Sequence, residues 1–531
     1  MSPTPFHKLI HTTIMKRILP LLVLLLPLTA TAQEPTSRID KSMTILTDVM
    51  RQLDMNYFDT LNYDRMTEEG IRMMLRQVDP YTIYIPKEHD TDLRIMTTGQ
   101  YGGIGAMIMT RDSMIYIAEP YEGMPAQVND IRAGDRLVKV DGFRCDGQPT
   151  KEVSNRLRGE AGTTVKIVIE REGEKKLLER EITRQEIHLP AVTYYNRYQD
   201  SIGYVLFSEF TSGSAAALYE AVQQMEKEHP LSGLVIDLRG NGGGLVDEAI
   251  RTVSLFVDKG TEVVTTKGKT HTANRSYTTS SSPVYPTLPL IFLVNGGTAS
   301  AAEIVSGSLQ ELNRATLIGE RTFGKGLVQS IRPIAYGGNL KVTTAHYYLP
   351  SGRCIQAINY AAQQRGEKLK RDTAGGIQPD IVLTDSQKVD ICYTLAKEHR
   401  FFDYANRYRQ THNAIVRPNQ FEVTDEDLDD FMNYLESKGF VYKTETSRYM
   451  DELIEMGEKE DIDSTALQEM KALRTRLCPS FREAILRHKD EVKELLGADI
   501  VERYYFQRGR VEFMLREDKA LRKAMQLIVE N

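Results

Sequence analysis

No apolar run inside the chain approaches the roughly 20 residues that span a bilayer, so the body of the sequence carries no expected membrane segment. Cysteine is scarce. Cys145, Cys354, Cys392 and Cys478 stand far apart without a Cys-x-x-Cys pair, which leaves metal and redox chemistry unsupported. Three disulfide pairings can be drawn among the four, and the sequence favours none. No cluster of His, Cys, Asp or Glu has metal-ligand spacing, so neither a metal nor another cofactor is expected. A surplus of one charge is missing too. With 67 Lys and Arg against 73 Asp and Glu, a net charge of −6 over 531 residues gives no electrostatic footprint for nucleic acid.

What is present is a globular composition, 41% hydrophobic and 26% charged, on a chain long enough for two to four domains. The N-terminus differs from the rest. "MKRILPLLVLLLPLTATAQ" places Lys16 and Arg17 before an apolar stretch and Ala30-Thr31-Ala32 before Gln33, the layout of a cleavable secretory signal. Met15 is a candidate start. Without a cysteine at the cleavage point no lipid anchor is expected. The mature chain is expected to begin near Gln33 and to be exported to a bacterial periplasm.

The expected organisation is α/β and multidomain. A signal at 1–32 precedes a helical segment at 33–87, where Ile45, Val49, Leu53, Ile71, Met74, Leu75 and Val78 recur at helical spacing. Short β-like runs and glycine turns fill 88–186. From 187 to 385, apolar strands such as "IGYVLF", "GLVIDL" and "PLIFLV" alternate with expected helices at 213–228, 245–256 and 299–312. That alternation argues a mostly parallel sheet with both faces covered. Charged amphipathic helices occupy 386–531, with charge runs that read as solvated faces.

Ligand sites in such sheets gather beyond the carboxyl ends of strands. Two glycine turns, "DLRGNGGG" and "VNGGTAS", follow directly on such ends. The second sets Ser300 at a helix start, where partnerless N–H groups favour an oxyanion. For an isolated serine, a plain helix cap is the commoner meaning. Gly319 to Lys325 matches the phosphate-loop pattern G-x-x-x-x-G-K, but Gly326 stands where a Mg²⁺-binding Ser or Thr is needed. Lys325, set between glycines and beside Phe323, Leu327 and Val328, fits a desolvated amine instead. Bringing its pKa from about 10.4 to near 7 takes on the order of 4–5 kcal/mol, which burial can supply. A neutral lysine can then take a serine proton. None of the 10 histidines has a comparable setting, and His346 reads as a strand residue.

"GMPAQVNDIRAGDRLVKVDG" resembles the PDZ domain. Taken in order, "MLRQVDPYTIYI", the PDZ-like segment, "DLRGNGGG", "TASAAEI", "RTFGKGLVQ", "YYLPSGRCIQ" and "GIQPDI" resemble the C-terminal processing peptidases, or tail-specific proteases, over roughly residues 40–385. The resemblance implies a serine endopeptidase acting near protein C-termini, with Ser300 as nucleophile, Lys325 as base and Gln329 orienting the lysine. It implies oxyanion donors from the backbone of Ala301 and of Gly242, among Gly242, Gly243 and Gly244. An extended strand would hold Lys325 and Gln329 about 13 Å apart, so a bend is required between them. In "QYGGIGAMIM", the stretch Tyr101, Gly102, Gly103, Ile104 and Gly105 is expected to receive a substrate's terminal carboxylate, with "AMIM" pairing to the incoming tail. The expected partners are proteins or peptides bound through their C-termini. Nucleic acid and stable membrane insertion are not expected, and a homo-oligomer is left open. A non-catalytic PDZ-containing binder of peptides or hydrophobic ligands is the alternative, though it gives no reason for Ser300, Lys325 and Gln329 to occur together.

Overall fold

The computed structural model describes residues 34–530 apart from 88–89, 228, 361, 363–365, 369, 373 and 385–389. The expected secretory signal lies outside the described residues. The chain divides into two compact units, up to Met73 and from Met74 onward. The first holds the helix Glu34–Asn56 and most of the helix Tyr63–Leu75, and within it the Tyr63 hydroxyl donates to Asp54 at 2.6 Å.

In the second unit, residues 106–183 build an antiparallel sheet in the order Ala106–Arg111, Met114–Pro120, Arg136–Val140, Thr164–Glu170, Leu178–Thr183. Its residues alternate inward with period two: Ile115 and Ile117, then Val165, Ile167 and Ile169, are all fully buried. The helix Thr150–Leu157 adds Val153 and Leu157 to that core. The strand Ala106–Arg111 lies at the sheet's edge.

The largest core surrounds a six-stranded sheet in the order Val192–Tyr198, Ile202–Phe207, Gly233–Asp237, Leu290–Val294, Thr316–Gly319, Ile381–Val382. Only the first pair is antiparallel, as the alternation of strands and helices leads one to expect. Leu234, Ile236, Phe292 and Val294 face one side, against Leu218 and Val222 of the helix Ser214–Glu226 and Ile304 and Val305 of the helix Ala301–Glu311. Val235, Ile291, Leu293 and Ile318 face the other. That second face is closed by Leu521, Ala524 and Ile528 of the last helix, Lys519–Glu530. The C-terminal helices are thus not wholly separate, because their final member completes the layer on the sheet. The remaining helices from Asp390 to Leu515 enclose a core of their own.

A further five-stranded antiparallel sheet was not anticipated from the sequence. It joins Ile83–Ile85, Asn339–Tyr348, Glu262–Gly268 and Arg275–Thr278, with Leu327–Pro333 also paired to Asn339–Tyr348. Its strands mix polar and apolar residues and come from distant parts of the chain, so no local run announces it.

Leu521 is 1% exposed, and truncating a buried leucine costs about 2–4 kcal/mol. Urea unfolding of Leu521→Ala should show that loss, whereas exposed Gln526→Ala should stay within about 0.5 kcal/mol of wild type. Equal effects would mean that the last helix is not part of the sheet's core.

Candidate active site

The buried strand Leu290–Val294 runs into a turn at Asn295-Gly296-Gly297-Thr298. The Asn295 side-chain oxygen accepts the N–H groups of Gly240 and Gly297 at 3.0 and 2.9 Å, and Thr298 Oγ1 donates to the Leu238 carbonyl at 2.8 Å. These bonds stitch the serine turn to the loop after the neighbouring strand Gly233–Asp237. Ser300 follows as the N-cap residue of the helix Ala301–Glu311, so the capping position is real. Its backbone is not that of an ordinary cap. At φ 58° and ψ −117° it occupies a region costing of order 1–3 kcal/mol, which persists only where the surroundings impose it.

Glu303 imposes it. This side chain is fully buried, and its carboxylate accepts the Ser300 N–H at 2.9 Å. The same two oxygens accept Thr322 Oγ1 at 2.5 Å and the N–H groups of Gly324 and Lys325 at 2.8 and 2.9 Å. One carboxylate therefore holds the serine turn and the lysine loop together. Burial pushes its pKa up, and its four donors pull it back. Tyr347, also buried, spans the same gap, its hydroxyl donating to the carbonyl oxygens of Ser300 (3.1 Å) and Lys325.

Glycines flank Lys325 because the loop presses on residues 355–357. A Cβ on Gly324 would meet Ala357 Cβ at 2.5 Å, and one on Gly326 would meet the Gln356 nitrogen at 2.7 Å. The amine turns inward, with Nζ 4.5 Å from the centre of the Tyr81 ring. Burial first, and then the like charge of Lys341, lower its pKa from 10.5 to about 8, against the opposing pull of Glu303 and Asp79. That shift corresponds to roughly 3 kcal/mol against the charged form. A phosphate loop is not formed here: the N–H groups of Gly324 and Lys325 go to Glu303 and that of Gly326 to Gln356 Oε1 at 2.7 Å.

The glycine loop after Asp237 passes directly against Ser300. Gly243 has φ +96°, and a Cβ there would stand 2.7 Å from Ser300 Cβ and 2.8 Å from the Ala301 nitrogen. Its N–H is taken by Asn241 Oδ1 at 2.8 Å. Among the described residues, the N–H groups of Gly242 and Ala301 form no backbone hydrogen bond. At the root of the loop, Arg239 pairs with Asp237 and reaches Asp518, just before the last helix, at 2.7 Å. Tyr204 donates its hydroxyl to Asp237 at 2.8 Å.

Gln329 is the residue placed least like the expectation. A β-bulge between Val328 and Gln329 supplies the required irregularity. However, the amide nitrogen donates to Thr343 Oγ1 and the Leu327 carbonyl, both at 3.3 Å, and not toward an acceptor on the lysine.

Tyr101, Gly102 and Gly103 lie in the strand Gln100–Gly103, paired with Gln185–His188, so the loop proper is Ile104 and Gly105. Tyr101 is buried with Arg158 over its ring at 5.3 Å. Among the described residues the N–H groups of Ile104 and Gly105 form no backbone bond, while their carbonyls accept from Ala126 and Tyr121 at 2.7 and 2.9 Å. Both N–H groups precede the edge strand Ala106–Arg111. Among the described residues no His/Cys/Asp/Glu group of three or more could hold a metal, and the four cysteines are free thiols.

Sequence reasoning missed Glu303, Tyr347, Tyr81 and Lys341. Only Glu303 left a local trace, since Ser300-x-x-Glu303 is the spacing of a capping box.

Comparison with known proteins places these features in a family. A model of peptidase family S41 matches residues 201–383, a PDZ-domain model matches 116–171, and a model of the C-terminal helical domain of a probable PDZ-protease matches 391–528. The carboxy-terminal-processing protease of Bartonella bacilliformis is 36% identical over 346 residues, 65% of this chain and 75% of that protein. The carboxy-terminal processing protease CtpA of Bacillus subtilis is 31% identical over 337 residues, 63% and 71% of the two chains. Among solved structures, a photosystem II D1 C-terminal processing protease aligns at 30% identity with a TM-score of 0.37, covering 62% of this chain and 84% of that one. The chain belongs to the carboxy-terminal processing proteases, serine-type endopeptidases of family S41 that carry a PDZ domain.

Proposed function

We propose that this protein is an exported peptidase whose substrates enter by their C-terminal tails, with Ser300 as nucleophile and Lys325 as general base. The observation that carries the reading is the Glu303 carboxylate, which binds the backbone N–H of both residues. The neutral Lys325 amine takes the Ser300 Oγ proton as Oγ attacks the scissile carbonyl. The N–H groups of Ala301 and Gly242 receive the oxyanion, each such donor being worth about 3–4 kcal/mol in the transition state. Collapse expels the amine, which takes the proton from Lys325, and leaves an ester on Ser300. Lys325 then deprotonates a water that releases the acid. Gln329 assists in orienting the lysine once its amide turns away from Thr343.

The tail carboxylate is taken by the N–H groups of Ile104 and Gly105, with Tyr101, Gly102 and Gly103 bracing that loop. The tail itself adds to the edge strand Ala106–Arg111. Export to a periplasm rests on the signal-like sequence of residues 1–32. The proposed domains are 33–87, 88–186, 187–385 and 386–531, with the helix Lys519–Glu530 shared with the peptidase core. Among the described residues no helix is long and apolar enough to cross a membrane.

Ser300→Ala and Lys325→Ala should each lower kcat on an unstructured peptide by at least about 10³-fold without moving the unfolding midpoint. A folded and fully active Lys325→Ala enzyme would sink the dyad. Because the neutral amine is the base and its folded pKa is about 8, activity should be low in acid and rise as pH passes through about 8. Glu303→Gln turns an NH₂ group toward N–H or O–H donors. It should cost about 2 kcal/mol in stability and slow turnover, measured by denaturant unfolding and peptide hydrolysis. Amidating a short substrate's C-terminus removes a charge-assisted contact of about 1.5–3 kcal/mol, so kcat/KM should fall roughly 10- to 100-fold. Equal cleavage of free and amidated peptides would show that the PDZ loop does not read the carboxylate.

A further inference from the structure

Lys325 does not rest against bare apolar walls. Its Nζ lies 4.5 Å from the centre of the Tyr81 ring, and Tyr81 comes from a part of the chain far from either candidate catalytic motif. The ring and its backbone are each held. Its hydroxyl lies 3.5 Å from the Tyr360 hydroxyl, and the two rings meet edge-on at 5.9 Å. Its backbone N–H donates to Asp79 Oδ1 at 2.8 Å.

Asp79 is 5% exposed and also takes the Thr82 N–H at 2.7 Å and Thr82 Oγ1 at 3.0 Å. Thr82 Oγ1 in turn accepts the Thr343 N–H at 3.2 Å. The next strand, Ile83–Ile85, pairs with Asn339–Lys341 of the sheet whose strand Leu327–Pro333 follows the lysine loop. Thr343 is the residue that holds Gln329. A single closed turn at 79–82 therefore touches both Lys325 and the anchor of Gln329.

We propose that Tyr81, locked by the Asp79 turn, is a positioning residue for Lys325, its ring face being the seat on which the ammonium rests between proton transfers. The inference rests on the reading of Lys325 as the base. A ring face attracts the charged amine and not the neutral one, so protonation draws the amine onto Tyr81 and deprotonation frees it. The other groups around this amine are Lys341 on the neighbouring strand, Glu303 on the serine helix and Asp79 beneath the turn. The Tyr347 hydroxyl stays protonated in the working range, burial pushing it well above its usual value. The seat opposes desolvation and repulsion from Lys341, keeping the base from becoming so weak that it cannot take the serine proton.

The test uses the full chain and a short fluorogenic peptide, with kcat and KM followed from about pH 6 to 10. Tyr81→Leu keeps the site dry but removes the ring face. Its acid limb should move down by about half to one pH unit, with plateau kcat several-fold lower and KM nearly unchanged. Tyr81→Phe keeps the face and should hold the wild-type midpoint. Should the leucine protein not fold, Tyr81→Met serves as the ring-less variant with the same expected shift. A folded ring-less variant that titrates like wild type overturns the proposal, as does a phenylalanine variant that shifts as far. An active Lys325→Ala enzyme would instead remove the base assignment. An inactive one beside an unshifted ring-less variant would leave that assignment standing and reject only the role of Tyr81.

Discussion

The Glu303 carboxylate is the constraint on which the site depends. Four donors from two loops converge on the two oxygens of a fully buried side chain. A buried carboxylate left partly unpaired is strongly unfavourable, whereas one with all its hydrogen bonds made is tolerated and rigid. The bond to the Ser300 N–H also answers for the serine's backbone. A residue at φ 58° and ψ −117° is held there by what surrounds it, and Glu303, Tyr347 and the glycine loop at Gly243 lie against it.

Around that carboxylate two unlike sheets meet. The mostly parallel sheet delivers the serine turn and the glycine loop from adjacent strand ends, Leu290–Val294 and Gly233–Asp237. The antiparallel sheet delivers Tyr347 and the strand Leu327–Pro333 that follows the lysine loop. Neither sheet alone holds both the unbonded N–H groups and the buried amine. The division suits the chemistry, because the helix start and glycine loop present free N–H groups while the antiparallel strands enclose an amine. Lowering the lysine pKa by burial costs roughly 3 kcal/mol of charged-form stability. That is a large share of the 5–15 kcal/mol that keeps an ordinary domain folded. The Glu303 network and the ring of Tyr81 lie where that cost arises.

The parts legible in the sequence were those written locally. Apolar strands alternating with helices gave away the parallel sheet, and glycines framing Ser300 and Lys325 marked where two backbones press close. Parts that depend on distant partners were not legible. Tyr81 meets Lys325 from the far side of the PDZ domain, and nothing in "VDPYTI" names its contact. Gln329 was placed by a motif, but its amide answers to Thr343, a cross-strand neighbour known only from the register of a sheet that was not foreseen. Glu303 is the intermediate case. Its spacing from Ser300 was visible, yet its three bonds to the lysine loop belong to the folded state alone.

The last helix shows most plainly that composition does not say what a helix's buried face packs on. Charged residues along Lys519–Glu530 suggest a solvated appendage, but Leu521, Ala524 and Ile528 share one face and close the far side of the catalytic sheet. The same junction carries Asp518, whose carboxylate meets Arg239 at the root of the glycine loop. Arg239 is also bound to Asp237, which Tyr204 secures from beneath. A mostly buried guanidinium between two carboxylates is destabilising if either partner is lost, and with both it ties the root of the loop to the last helix. The helical extension thus reaches the glycine-loop side of the site through one ion pair and a shared core, while Tyr81 reaches Lys325 from the other end of the chain. Serine and lysine occupy the middle, and the residues that fix their geometry come from both flanks.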